Sequence, residues 1–233
     1  MLLLAVLVGT PAHADELPEF HAALETVSSH NRAALGYLRT ENTDLALFEL
    51  DHMRDAWSSF AARFGKERPG ALRGNPLYAT MLVDVPTRIV TARMMVNTGR
   101  LAIARHSLMA IRREISEVRR KSHIEVLADA VLDANVAMDA LSAYAEVPPD
   151  WSKVGIDAEI TAKLASYGSA LARCDAMASD AIRADPEFRR LIDGAAASLG
   201  SAARAITTKD TDLLERVLSE LRALDNLLAF RYG

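Results

Sequence analysis

The chain of 233 residues has one cysteine, Cys174. An internal disulfide is therefore impossible, and the fold must be held by its apolar core even in an oxidising compartment. A lone cysteine reads as a small buried hydrophobe rather than a reactive thiol. Glycine and proline are sparse, at 11 and 8 residues, and aromatics make up 6% of the chain. β-branched residues are also thin, and no convincing run alternates apolar with polar residues, so half-buried strands are not signalled. The catalytic signatures are missing as well. There is no Gly-x-Ser-x-Gly elbow for a nucleophile and no glycine-rich loop to cradle phosphate. No His-x-x-x-His pair occurs, and there is no pair of Glu-x-x-His motifs on two helices, so a ferritin-type di-iron bundle is not indicated. With nothing to support a reaction, the chain is expected not to be an enzyme. A net charge of −4 gives no support for a nucleic-acid partner.

Long apolar runs are also absent. Leu2–Val8 is far shorter than the roughly 20 residues a membrane-spanning helix needs. It is followed by Gly9, Thr10 and Pro11, then by Ala12-His13-Ala14 before Asp15. A small-x-small triplet after a short apolar stretch is the mark of a signal-peptidase site. Residues 1–14 are thus expected to be a signal peptide, and the protein to be periplasmic with no transmembrane segment after cleavage. No Lys or Arg precedes the apolar run, which points to a true start further upstream.

What the sequence does have is helical spacing. Phe20, Leu24, Val27, Ala34 and Leu38 recur at steps of three, four or seven, as do Ala46, Leu50, Met53, Trp57, Phe60 and Phe64. Leu101–Val118 and Leu213–Leu228 repeat the pattern. This is the signature of amphipathic helices. The breakers place helices near 17–40, 43–65, 76–97, 100–121, 124–146, 157–180, 186–206 and 211–231. Asn42 or Thr43 suits an N-cap, and Asp185-Pro186 places a cap before a proline at the first helical position. Pro86 should kink the third helix. The fourth and fifth are separated only by residues 119–123, so one long helix is also open.

Sliding the chain on itself by 110 residues reveals an internal repeat. Arg73, Asn75, Pro76 and Tyr78 fall on Arg183, Asp185, Pro186 and Phe188, and Arg63 falls on Arg173. Met81-Leu82 falls on Leu191-Ile192 and Trp57 on Tyr167, with no gap. Two extra residues in the following turn would bring Leu101 onto Leu213. The first helix of each half does not align. A second echo sets Thr43–Gly65 against Thr211–Gly233 and suggests an underlying helix-pair unit. The expected fold is all-α, with about eight helices forming two tandem, internally duplicated four-helix up-and-down bundles at 15–121 and 122–233.

The hairpins 76–121 and 186–231, with turns at Asn97-Thr98-Gly99 and Lys209-Asp210, resemble the four-helix cytochromes, cytochrome c-prime and the soluble b-type cytochrome. The last helix, carrying Leu218, Leu221, Arg222, Asn226, Phe230, Arg231 and Tyr232, contributes to that resemblance. The resemblance implies the bundle fold. In that family the last helix holds the heme ligand, yet Asp225–Ala229 contains neither Cys nor His. Covalent heme is excluded, since one cysteine cannot form Cys-x-x-Cys-His.

Two surface chemistries remain. His52 precedes Met53, and His106 stands one turn before Met109. Such His and Met pairs offer soft ligands to Cu(I), although Met53 also fits the apolar stripe of its helix. Arg100, Arg105, Arg112, Arg113, Arg119, Arg120 and Lys121 make 100–121 basic, which reads as a solvated face balanced by Glu114 and Glu117 or as a docking face. Arg63 and Arg173, and likewise Arg73 and Arg183 before the Asn/Asp-Pro caps, are expected to cap the C-terminus of the second helix and pack across the loop, or to form a duplicated anion site. The sequence therefore leads to an exported, non-enzymatic bundle without a cofactor, binding a partner protein or small ligand, with a homodimer as a further candidate. The alternative is a periplasmic copper or non-covalent heme carrier.

Overall fold

The computed structural model describes residues 16–233. The expected signal peptide, 1–14, lies outside the described residues. Among these there are nine α-helices and no strand, so the all-α expectation holds. The chain divides into two compact units between Ile124 and Glu125. The first contains α1 (Glu16–Arg39), α2 (Thr43–Phe64), a single 3₁₀ turn at Gly70–Leu72, α3 (Pro76–Asn97) and α4 (Leu101–Lys121). The second contains α5 (Leu127–Glu146), α6 (Ile156–Met177), the short α7 (Asp180–Arg183), α8 (Pro186–Thr208) and α9 (Thr211–Tyr232). α4 and α5 are separate helices. His123 takes a left-handed φ of 55°, and the Ile124 N–H turns back onto the Arg119 carbonyl at 2.9 Å, closing α4.

In each unit the four long helices pack in a ring. α1 meets α2, α2 meets α3, α3 meets α4, and α4 returns to α1. In the second unit α5, α6, α8 and α9 do the same. The first core is rich in rings, with Phe20, Trp57, Phe60, Phe64 and Tyr78 all buried and the Phe20 ring centre 5.4 Å from those of both Phe60 and Phe64. The second relies on smaller side chains such as Ala130, Ala134, Ala170 and Cys174.

The helix starts follow from local chemistry. Asn42, Asn75, Ser179, Asp185 and Asp210 each accept a backbone N–H of the first turn on a side-chain oxygen. α3 runs unbroken through Pro86. The helix expected over 157–180 is α6, which stops three residues earlier at Met177, and the short α7 follows where no helix was expected. Ser179 accepts the Ile182 N–H at 3.3 Å, offering the backbone an alternative to continued helix. The Arg183 guanidinium bonds the carbonyls of Asp175, Ala176 and Ala178 at 3.2, 3.3 and 2.9 Å, satisfying the end of α6.

Capping was expected of Arg63 and Arg173, and their role differs. Arg63 pairs with Glu19 of α1, and Arg173 pairs with Asp133 of α5 at 2.9 Å. Each ties the second helix of its unit to the first. Glu114 likewise pairs across helices, with Arg88 of α3 rather than with its own helix.

The same positions are buried in the two units at the 110-residue offset. Trp57/Tyr167, Tyr78/Phe188, Met81/Leu191, Val85/Ala195, Ala92/Ala202 and Val96/Ile206 are all core. The offset then continues without the expected two-residue insertion. Ala104/Leu214, Leu108/Leu218, Ile111/Leu221, Ile115/Asp225 and Val118/Leu228 are buried in register. α8 is one residue longer than α3 and the turn after it one residue shorter, so the count is unchanged. Positions paired by the shorter echo are also buried. Ala46, Leu50, Met53, Trp57 and Phe60 of α2 match Leu214, Leu218, Leu221, Asp225 and Leu228 of α9.

Candidate functional site

The sequence offered His52, Met53, His106 and Met109 as soft ligands. Met53 is fully buried among the core residues of α2, while His52 is exposed. Successive residues diverge by about 100° around an α-helix, so the Met53 sulfur is spent in packing and does not converge with His52. On α4, His106 is exposed and Met109 half-buried, with its Sδ 3.9 Å from Arg112 Nη1. No group of three or more His, Cys, Asp or Glu able to hold a metal occurs among the described residues.

His52 has a different neighbour. The His30 ring of α1 lies alongside it, with ring centres 5.4 Å apart and planes 20° apart. His30 Nδ1 lies 2.7 Å from Glu49 Oε2, and His52 Nδ1 lies 3.0 Å from the Phe48 carbonyl oxygen. The Phe48 ring meets His52 edge-on at 4.2 Å. His30 and Glu49 escaped the sequence reading because 22 residues and a helix turn separate the two histidines. Only the pairing of α1 with α2 brings them together.

A second cluster is buried in the core of the second unit. Asp225 is 1% exposed, at the position that Ile115 holds in the first unit. Asn135 Nδ2 donates to Asp225 Oδ2 at 3.0 Å. Arg222 approaches the same oxygen at 3.6 Å, pairs with Asp139 at 2.8 Å and donates to Ser142 Oγ at 2.9 Å. These contacts fasten α9 to α5. The Tyr167 hydroxyl is buried nearby and finds no hydrogen-bond partner among the described residues. Burial first, and then the Asp225 carboxylate, push Tyr167 far above its ordinary range. The same two causes, in the same order, push the buried Cys174 thiol up to about 12. A thiol so raised is neutral and non-nucleophilic, the opposite of an activated cysteine. The cluster therefore serves packing and orientation in the core.

The third feature is on the surface. Val83, Val90 and Met94 of α3 are 65%, 62% and 52% exposed. With Thr80 and Thr87 they follow one another at alternating steps of three and four, which draws a single stripe along the helix. Ile103, 48% exposed, follows just beyond the turn into α4. Two arginines flanking the stripe are engaged inside the unit: Arg88 with Glu114, and Arg93 with Asp51 at 2.9 Å. At the 110-residue offset the second unit carries Asp193, Gly200 and Arg204 in place of Val83, Val90 and Met94, and all three are exposed. The core registers match while this face does not. Of the basic residues of 100–121, Arg119 is buried, while Arg100, Arg113, Arg120 and Lys121 are exposed. No helix is long and apolar enough to cross a membrane among the described residues. Neither a protein-family model, a curated protein nor a solved structure matches the chain.

Proposed function

We propose that this is an exported, non-enzymatic helical-bundle protein whose first unit binds a helix of a partner protein along α3. The observation that carries the reading is the stripe Val83-Thr87-Val90-Met94, set against Asp193-Ala197-Gly200-Arg204 at the matching places of α8. Packing within the unit does not require apolar residues on an exposed face, and the second unit manages without them. Contiguous exposed apolar surface marks interaction sites in soluble proteins. The flanking Arg88 and Arg93 already have partners, so the stripe offers apolar contact rather than free positive charge. An amphipathic helix with apolar residues at three- and four-residue spacing meets that demand. The leader-like residues 1–14 support a periplasmic setting, and the shared burial register supports an origin of both units from one repeat.

The test places a photo-crosslinking residue at Val90 and, separately, at Gly200, in cells that export the protein. One defined product is expected from position 90 and none from position 200. Val83→Glu and Met94→Glu should abolish the product while leaving thermal melting within about 2 °C of the parent, as exposed substitutions do. Equal crosslinking from both positions would overturn the reading. A product at twice the chain's own mass would replace the foreign helix with a second copy.

A further inference from the structure

We infer that a cavity between α3 and α4 binds a primary ammonium group on an alkyl stem, the chemistry of a lysine side chain or a free alkylamine. The cavity has a volume of about 230 Å³ and is lined by Asp84, Thr87, Arg88 and Thr91 of α3 and by Ser107 of α4. Sites for drug-sized ligands run from roughly 300 to 1,000 Å³, so this one suits a group the size of a side chain.

The lining is rich in acceptors. The Thr87 and Thr91 hydroxyls give their protons to the Val83 and Thr87 carbonyls, each at 2.9 Å, which leaves only oxygen lone pairs for a ligand. Asp84 is half-buried and makes no ion pair or hydrogen bond among the described residues. Ser107 is 6% exposed, and its hydroxyl likewise has no hydrogen-bond partner among the described residues. Arg88 is already paired with Glu114, whose Oε2 is buried and unpartnered. Burial holds the Glu114 carboxyl above its ordinary range; the Arg88 pairing opposes this, and the charges of Asp84 and Glu117 add to the rise. Negative charge is thus in excess here. An ammonium group brings one positive charge, three N–H donors and no acceptor. The bundle itself does not need this polar cavity. At the 110-residue offset the second unit has Gly194 for Asp84, Val217 for Ser107 and Leu224 for Glu114. There the Leu224 Cδ1 lies 3.6 Å from the point where a Cβ on Gly194 would stand, an apolar contact in the same place.

Thr87 belongs to the α3 stripe as well as to the cavity, so a lysine on the docked helix is one source of the ammonium. That source rests on the helix-docking reading, whereas the ammonium site does not. Titration of the intact protein with n-butylammonium chloride, followed by amide NMR, tests the site. Saturable shifts are expected at Asp84, Thr87, Thr91 and Ser107 and not at Gly194 or Ser201. Tetramethylammonium chloride, which carries the charge without an N–H donor, should give none at the same concentration. Asp84→Asn should weaken n-butylammonium binding about fivefold and Ser107→Ala about threefold, with circular dichroism unchanged. No saturable shift in the parent, equal affinity in both variants, or an equal response to tetramethylammonium would overturn the site. With lysine as the source, Asp84→Asn should also lower the yield of the Val90 photoproduct about fivefold. A full yield beside n-butylammonium binding would assign the site to a free alkylamine. Absence of the photoproduct from the parent would remove the docking reading and leave the ammonium site standing.

Discussion

Tyr78 and Tyr167 are both fully buried, one in each unit, yet they should respond to the same change with opposite sign. The Tyr78 hydroxyl donates to the Phe64 carbonyl at 2.8 Å. The Tyr167 hydroxyl has no partner among the described residues. Replacing tyrosine with phenylalanine removes one oxygen and leaves the ring. At Tyr78 the loss is a net buried hydrogen bond, about 1 kcal/mol, plus the desolvated Phe64 carbonyl left behind. At Tyr167 nothing is broken, and an unsatisfied buried group costing about 1–3 kcal/mol disappears. Tyr167→Phe should therefore stabilise the second unit by about 1 kcal/mol or more, while Tyr78→Phe destabilises the first by about 1–2 kcal/mol. A shift of 1 kcal/mol moves the melting temperature of a unit this size by roughly 4 °C. The chain's two tryptophans make the assay clean, because Trp57 lies in the first unit and Trp151 in the second. Urea titrations in a Trp57→Phe background follow the second unit, and those in a Trp151→Phe background follow the first. A destabilised Tyr167→Phe would refute the reasoning and mean that the hydroxyl is satisfied, most simply by an internal water.

Asn75 caps α3 through Leu77 N–H at 3.0 Å, and its Nδ2 donates to Val118 O at 2.8 Å and Ser122 Oγ at 2.7 Å. Asn75→Ala should cost the first unit about 2–3 kcal/mol, and an unchanged urea midpoint would contradict this. In the second unit the Tyr232 hydroxyl donates to Asp185 at 2.8 Å, and that bond first, then the Glu187 N–H, holds the Asp185 carboxyl below its ordinary range. A lowered folded value means the contribution is present above the unfolded value near 4 and is lost as pH falls through the folded one. Tyr232→Phe should therefore raise the Asp185 titration midpoint, read by carboxyl carbon shifts. Burial pushes Tyr78 up to about 12. Its contribution should be complete below pH 10 and be lost as pH rises toward 12, an alkaline loss that Tyr78→Phe abolishes in the first unit's melting curve. Cys174 should resist thiol reagents until the second unit unfolds, and labelling of the native protein at the rate of a free thiol would contradict its burial.

Much of the fold was legible in the sequence because helical period, capping residues and core face are local. Asn75-Pro76 and Asp185-Pro186 marked both helix starts, since an acceptor before a proline is a signal complete within a few residues. The 110-residue correspondence was visible where paired positions kept their chemistry, as at Tyr78/Phe188. It faded in the first helices because size was not kept and burial only in part: Phe20 falls on Ala130 and Leu24 on Ala134, core positions in both units, while buried Val27 and Leu38 fall on half-buried Ala137 and exposed Pro148. The capping of α6 by Arg183 was legible from its place before Asp185-Pro186, whereas the one-turn α7 was not, because four residues carry no periodicity.

The candidate sites divide in the same way. Histidine and methionine are visible as residue types, but their partners are set by which helix faces which. The sequence by itself determined an all-helical chain, the order of its helices, most of their ends and the identity of the core, because each depends on spacing within one helix. Tertiary packing alone decided that Met53 is buried beside an exposed His52, that His30 joins His52, that Asp225 sits in a core beside an unsatisfied tyrosine, and that the α3 stripe is left uncovered. Those facts are relations between helices, and the distances that create them are not written along any one of them.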